Sequence, residues 1–278
     1  MDGIVEMKIM SRRRFFKRAA RKMLYSDWIN QILVFVIVGA FFVGINYFGT
    51  SVAIIVSELS DKLIVADCVS LAFNVISMAF TVPMLYGIVR FEINTVSEEE
   101  AVLSDVFAVF SDSQTVLRSY NLFFNVIFRG IVCFLPAIAL YFFKHLAYDY
   151  GFVRTYSYYG VDVVSFLLNT VFVLLIYLGI AFSSNLFTGI YISVKNENAP
   201  VEDCFYMAKK CMRGSKSEFA LLALSFLPLF VVSLFSIGFL FVLYTVPYMF
   251  ITFIMFSKYL YEKKEFPTAS YSNQEISD

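Results

Sequence analysis

Residues 219–261, FALLALSFLPLFVVSLFSIGFLFVLYTVPYMFITFIMFSKYLY, carry one charge, Lys258, in 43 positions. As a single helix this stretch would run about 65 Å, twice the ~30 Å of a bilayer's hydrocarbon core. A turn inside it is therefore required, and Ser236-Ile237-Gly238 supplies the small residues for one. Four further apolar runs lie near residues 28–56, 63–89, 120–143 and 161–194, each long enough for one crossing. The expectation is an all-α polytopic membrane protein with six transmembrane helices. Composition agrees: mean hydropathy is +0.73 and charged residues make up only 16%, against about 25% in soluble domains.

The basic residues sort by side. With the N-terminus in the cytoplasm, the cytoplasmic segments hold Lys8, Arg12, Arg13, Arg14, Lys17, Arg18, Arg21 and Lys22, then Arg90 and Arg118, then Lys195, Lys209, Lys210, Arg213 and Lys216, then Lys258, Lys263 and Lys264. That is eighteen of the twenty-two Lys and Arg; Lys62, Lys144 and Arg154 face outward and Arg129 falls within a run. The positive-inside rule then predicts a cell-membrane protein with both termini cytoplasmic. The chain divides into a basic N-terminal segment (1–27), a six-helix domain (28–261) and a polar tail (262–278) expected to be disordered. A signal peptide's apolar region stops after 7–15 residues, whereas the first run continues from Trp28 to about Val56, so it should stay as an anchor. Cys68 and Cys133 lie in spans and Cys204 and Cys211 in a cytoplasmic segment, which predicts reduced thiols.

Short helices are expected before spans one, three and five. In residues 12–24, Phe15, Phe16, Ala19, Ala20, Met23 and Leu24 recur at helical spacing, opposite Arg14, Lys17, Arg18, Arg21 and Lys22. Such a basic amphipathic helix is expected to lie on the anionic inner leaflet, as an anchor or as a regulatory element. Ser97-Glu98-Glu99-Glu100 reads as a capping box opening a second helix with Val102, Leu103, Val106, Phe107 and Phe110 on one face. Pro200, Glu202, Asp203, Lys209, Lys210 and Arg213 frame a third, with Gly214 as its C-cap. No broad basic face for nucleic acid is present.

With these helices in place, two regions resemble a bacterial family of integral membrane proteins catalogued as domain of unknown function 975. One is Ala19-Ala20-Arg21-Lys22-Met23-Leu24 followed by Ser26-Asp27-Trp28. The other is Met212-Arg213-Gly214-Ser215-Lys216, the run Phe219 to Phe226, Ile237-Gly238 and Pro247-Tyr248. The chain departs from the pattern at Pro228, where family members often carry Trp, and at Phe256-Ser257-Lys258-Tyr259. The resemblance implies the membrane fold and brings no known activity; more distantly, it extends to the membrane-embedded portion of glycerophosphodiester phosphodiesterases, without their catalytic domain.

Candidate functional residues follow from polar side chains inside the spans. Asp67, Ser70, Asn74, Ser77 and Thr81 recur at spacings of 3 and 4, a seam expected to face the bundle. Asn121, Asn125 and Arg129 do the same in span three, where counting from Tyr120 puts Arg129 about 14 Å deep. Three readings stay open for Arg129: snorkelling to the interface, an internal hydrogen-bond network, or a ligand path. Pro83, Pro136, Pro228 and Pro247 invite kinks, suited to static packing or to gating. No metal-ligand set, phosphate loop, nucleophile elbow or catalytic constellation is present, so neither a cofactor nor an enzymatic activity is expected. The readings that remain are a non-enzymatic membrane component that organises or regulates an envelope system, and a carrier or exporter of a small hydrophobic or lipidic solute.

Overall fold

A computed structural model describes residues 12–60, 63–97, 99, 101–149, 157–158, 161–236 and 239–265. A basic helix, α1 (Arg12–Ser26), leads into two long helices, α2 (Trp28–Ser60) and α3 (Leu63–Val96). A short α4 (Asp105–Ala108) and a 3₁₀ turn (Val109–Ser111) precede α5 (Ser113–Asp149). A two-rung antiparallel bridge, Ser157–Tyr158 with Val161–Asp162, comes before α6 (Val163–Lys195). Then follow α7 (Val201–Cys211), α8 (Lys216–Leu224), α9 (Leu227–Phe235), a π turn (Phe241–Thr245) and α10 (Val246–Glu265). Six helical stretches among the described residues are long and apolar enough to cross a membrane.

Proline decides where the last two spans bend. Pro228 sits in the first turn of α9, so span five breaks at Ser225–Phe226 between α8 and α9. Pro247 cannot donate to the carbonyl four residues back, and the backbone before it widens into the π turn. Thr245, fully buried, then bonds Ser233 Oγ at 2.8 Å and donates to the Leu240 carbonyl at 3.3 Å. The α3 and α5 helices run through Pro83 and Pro136 unbroken. The turn between spans five and six begins at Ser236, whose Oγ accepts from Leu240 N at 3.0 Å; Ile237 and Gly238 lie outside the described residues.

The helices are longer than a bilayer is thick. The 34 residues of α3 and 37 of α5 run about 51 and 55 Å, some 20 Å beyond the hydrocarbon. Their two halves differ accordingly. At the end carrying α1, α7 and the last turns of α10, the basic end, a continuous core joins Phe16, Leu24, Tyr86, Val89, Ile192, Phe205, Phe219, Phe226, Ile251 and Phe256. Fully burying such a ring is worth ~1.5–3 kcal/mol. At the far end Ile64, Leu71, Val75, Phe142, Phe143, Phe166 and Leu167 are exposed. The central helix is α10: 50% of the most apolar window of span six is buried, against 6% for span three.

Four sequence expectations are corrected here. Ser97 ends a helix instead of capping one: α3 continues to Val96 and Ser97 N bonds the Ile93 carbonyl at 2.9 Å. The next helical turn begins at Asp105, whose carboxylate takes Asn94 Nδ2 at 3.1 Å and Val102 N at 3.3 Å, while Glu98 and Glu100 lie outside the described residues. The C-cap of α7 is Met212, and Gly214 supplies the left-handed residue two positions on, with φ 92°. The last helix runs to Glu265, beyond the expected start of the tail at 262; residues 266–278 lie outside the described residues. Finally, the apolar face of α1 is covered by protein. Phe16 stacks edge-on against Phe256 and Tyr259 at 5.5 and 5.6 Å, because an aromatic stripe marks a face to be covered without saying by what.

Candidate functional site

With its apolar face docked on α10, α1 presents its basic face to a groove. Arg14, Lys17, Arg18 and Arg21 line one wall, Ser225, Phe226, Pro228, Leu229 and Val232 at the span-five break another, and Tyr244 and Tyr248 the third. The cavity is about 710 Å³. Helical spacing of 3 and 4 residues brings the four cations to one side; Lys22, expected to join them, is exposed elsewhere on the helix.

Lys17 fixes the groove. Its Nζ donates to the Ser225 carbonyl at 2.8 Å and lies 4.2 Å from the Phe226 ring centroid, while its own carbonyl accepts from Tyr248 Oη at 3.1 Å. The Ser225 carbonyl is left over by the Pro228 break, so the lysine satisfies an orphaned acceptor. Burial, and then the charge of Arg21, hold the Lys17 ammonium below the ordinary lysine value. The phenol oxygens of Tyr244 and then Tyr248 favour the charged form of Arg21 and hold its guanidinium above the ordinary arginine value.

A second cleft, of about 740 Å³, contains Arg129. Asn125, Cys133, Phe182, Asn185, Glu202, Phe205, Lys209 and Lys216 share its lining. Arg129 lies over the Phe205 ring at 4.5 Å and Lys216 over Phe182 at 4.3 Å. The length of its helix bears on the depth expected for Arg129. Counting ~20 residues, or ~30 Å, inward from the far end of α5 at Asp149 arrives at Arg129. The same count from Ser60, Leu63 and Val163 arrives near Phe41, Pro83 and Phe182, and the Phe41–Phe80 ring contact at 5.9 Å puts two of these levels together. Arg129 thus lies toward the basic end of its helix, in one cleft with Lys209 and Lys216.

The expected polar seam is not one network. Ser77 is buried and accepts from Asn46 Nδ2 at 2.8 Å, but Asp67 and Asn74 are exposed and Asn74 bonds back to the Ser70 carbonyl. Thr81 Oγ is buried without a hydrogen-bond partner. Asn121 and Asn125 bond each other at 2.7 Å, on a different helix, and Arg129 faces α7. The periodicity correctly marks one side of α3, yet α2 covers only part of it.

Three polar features escaped the sequence reading. Arg118 sends its guanidinium to the carbonyls of Ser193, Asn196, Glu197 and Ala199 at 2.7–2.9 Å, satisfying the acceptors at the C-terminus of α6. Its chemistry is invisible without the partner helix. Glu92, one of the fully buried side chains, meets Gln31 in the first turn of α2: with its nitrogen turned toward Glu92, the amide donates at 2.6 and 3.2 Å. The signal was an acid two residues past Arg90 within an apolar stretch. Asp112 caps α5, accepting from Thr115 Oγ at 2.7 Å and from the amides of Thr115 and Gln114 at 3.0 and 3.1 Å. These bonds, the Thr115 hydroxyl first, hold its carboxyl below the usual range. Cys204 is buried against α6, and burial pushes its thiol up. Among the described residues no group of three His, Cys, Asp or Glu side chains is gathered for a metal.

Six apolar helices enclosing short packed helices at one end define a multi-pass helical membrane protein. The chain belongs to the family described as "Protein of unknown function (DUF975)", which it matches over residues 10–264. No curated protein and no solved structure matches it.

Proposed function

We propose that the protein is a non-enzymatic component of the cell membrane, both termini in the cytoplasm, that organises or regulates an envelope system through its basic end. One observation carries this reading: α1 and α7 bury their apolar faces in the bundle, with Phe16, Ala20, Leu24, Cys204, Phe205 and Ala208 at 0–2% exposure. Their charged faces are thereby held as a fixed surface. The orientation is supported by the eighteen basic residues collected on one side.

Hydrogen exchange on the protein in lipid nanodiscs tests the platform: α1 and α7 amides should be protected to the same order as α10. Exchange of α1 at the rate of an isolated interfacial helix would overturn the reading. Cysteines introduced near Ser97 or Ser215 should react only from the cytoplasmic side. The carrier of a lipidic solute is kept as a second reading because span five is broken beside the π turn of span six, and such irregular backbone often accompanies a binding site. Faster transbilayer movement of fluorescent lipid in proteoliposomes than in protein-free vesicles would favour it over the platform.

A further inference from the structure

We infer that the groove between α1, the span-five break and the start of span six is a binding site for the headgroup of one anionic phospholipid of the inner leaflet. The inference uses the orientation proposed above but not the platform reading.

Charge comes first. Arg14, Lys17 and Arg21 stand on one face of α1 at spacings of 3 and 4, where like charges repel, and the described lining of the groove holds no carboxylate. An occupant with negative charge relieves this crowding, which adds to the larger effect of burial in holding the Lys17 ammonium down. Guanidinium groups suit the phosphodiester in particular, since their planar fork donates two parallel bonds to its oxygens. Tyr244 adds a hydroxyl on the opposite wall, while that of Tyr248 is already donated to the Lys17 carbonyl.

Depth favours the same occupant. The Phe35–Phe250 ring contact, at 6.1 Å, puts Phe250 about six residues, or ~9 Å, to the basic side of the level of Phe41. Stepping the same distance back along span six reaches Tyr244, with Tyr248 part-way along. The groove therefore lies at the headgroup plane, the level of Arg129 and Lys216 across the bundle. Its apolar wall continues from Phe226 to Leu229 and Val232 along α9, toward the bilayer interior, so an acyl chain would follow that wall while the phosphate met the cations. A free phosphate would use only the basic part.

Native mass spectrometry of the full chain in mild detergent tests the site, with phosphatidylglycerol and chain-matched phosphatidylcholine as probes. The wild type should retain one phosphatidylglycerol and little phosphatidylcholine. The double variant Arg14→Gln/Arg21→Gln should bind phosphatidylglycerol about tenfold or more weakly, through lost charge-assisted bonds. Arg13→Gln/Lys22→Gln removes the same charge from exposed positions outside the groove and should stay within about twofold of wild type. Thermal melting of both variants checks that α1 remains docked; Arg14→Lys/Arg21→Lys, which keeps the charge, should recover part of the binding in a background that folds. Equal losses in the two Gln variants would reduce the effect to diffuse surface attraction and overturn the site. Equal retention of phosphatidylcholine, or displacement of the lipid by inorganic phosphate, would overturn it too. Labelling from the wrong side would defeat the orientation while leaving this measurement readable.

Discussion

At the basic end Phe219 touches Phe187, Phe253 and Phe256 within 6 Å; in the far half Phe142, Phe143 and Phe166 are each at least 60% exposed. The same four long helices pass through both regions with similar aromatic content. What differs is the solvent. Outside the hydrocarbon, apolar surface must be covered by protein, so the projecting ends of α3, α5 and α6 recruit α1, α7 and α8 and build a core of the soluble kind. Inside it, lipid tails are as apolar as leucine, and helices associate only where shape or hydrogen bonds favour it. Gly49 against Phe73 and Gly179 against Phe134 are such places, where a methyl group on the glycine would collide with the ring. Polar groups follow the same division: Arg118, Glu92 and Lys258 are tied into the basic end.

Removing Arg118 should break this contrast most severely. Its guanidinium holds four carbonyls where α6 turns into α7, and hydrogen bonds to a charged group are worth ~1.5–3 kcal/mol each before non-additivity. Arg118→Ala is expected to cost roughly 3–4 kcal/mol, read as a lower melting temperature in detergent, and Arg118→Lys to recover less than half. At the far end Lys144 makes one bond, to Asn169 Oδ1 at 2.7 Å, and Lys144→Ala should cost under about 1 kcal/mol. Equal losses at the two sites would mean that the basic end does not dominate stability.

Glycines sharpen the comparison at a smaller scale. A side chain on Gly87 would strike the backbone of Val106, which cannot move aside as a side chain can, while nothing lies within 4 Å of Gly44. Gly87→Ala should destabilise by ~1–3 kcal/mol, whereas Gly44→Ala should be neutral or stabilising by up to ~1 kcal/mol through helix propensity. Matching melting temperatures for the two variants would contradict the packed contact between α3 and the 104–109 segment.

Arg129 comes next, at the border between the two regions. Lying over Phe205 in a cleft it shares with Lys209 and Lys216, it is expected to keep its charge in water, so Arg129→Lys should cost only ~0.5–1 kcal/mol, from the lost planar contact. Arg129→Leu should lose that amount and leave the cleft's Glu202 among fewer cations. A loss of several kcal/mol in the lysine variant would restore the deep, networked arginine that the sequence left open.

How much of this was legible beforehand depends on the kind of signal. Hydropathy over 219–261 and the sorting of Lys and Arg gave six spans, because crossing a bilayer imposes a length on the chain itself. The amphipathic period of 12–24 gave a helix and its basic face, but not that Phe16 would lie on Phe256, 240 positions away. The depth of Arg129 depends on the end from which its helix is counted, and an apolar run of 120–143 does not reveal that the helix extends to Asp149. Arg118, Glu92 and Asp112 were missed because each satisfies partners that tertiary structure alone brings near. Asp67 and Asn74 failed in the opposite sense: their spacing was helical, yet periodicity describes a face and not its covering.

The smallest effect concerns Lys17, and it ties the groove back to the packed end. Its folded pKa lies below the ordinary value of 10.5. In the window between that lowered value and 10.5 the unfolded chain binds a proton that the folded chain does not, so stability rises with pH there. Below the folded value both states are protonated and the full cost of keeping the charge in the groove is felt. The difference in melting temperature between wild type and Lys17→Gln should therefore shift in favour of wild type as pH climbs through that window toward 10.5. Saturating phosphatidylglycerol should flatten the trend, since a phosphate beside Nζ favours the charged form and lifts the pKa back toward its unfolded value. A trend of the opposite sign would mean that Lys17 is stabilised as a cation by the protein alone, and the groove would then have no deficit of negative charge at that position for a lipid to fill.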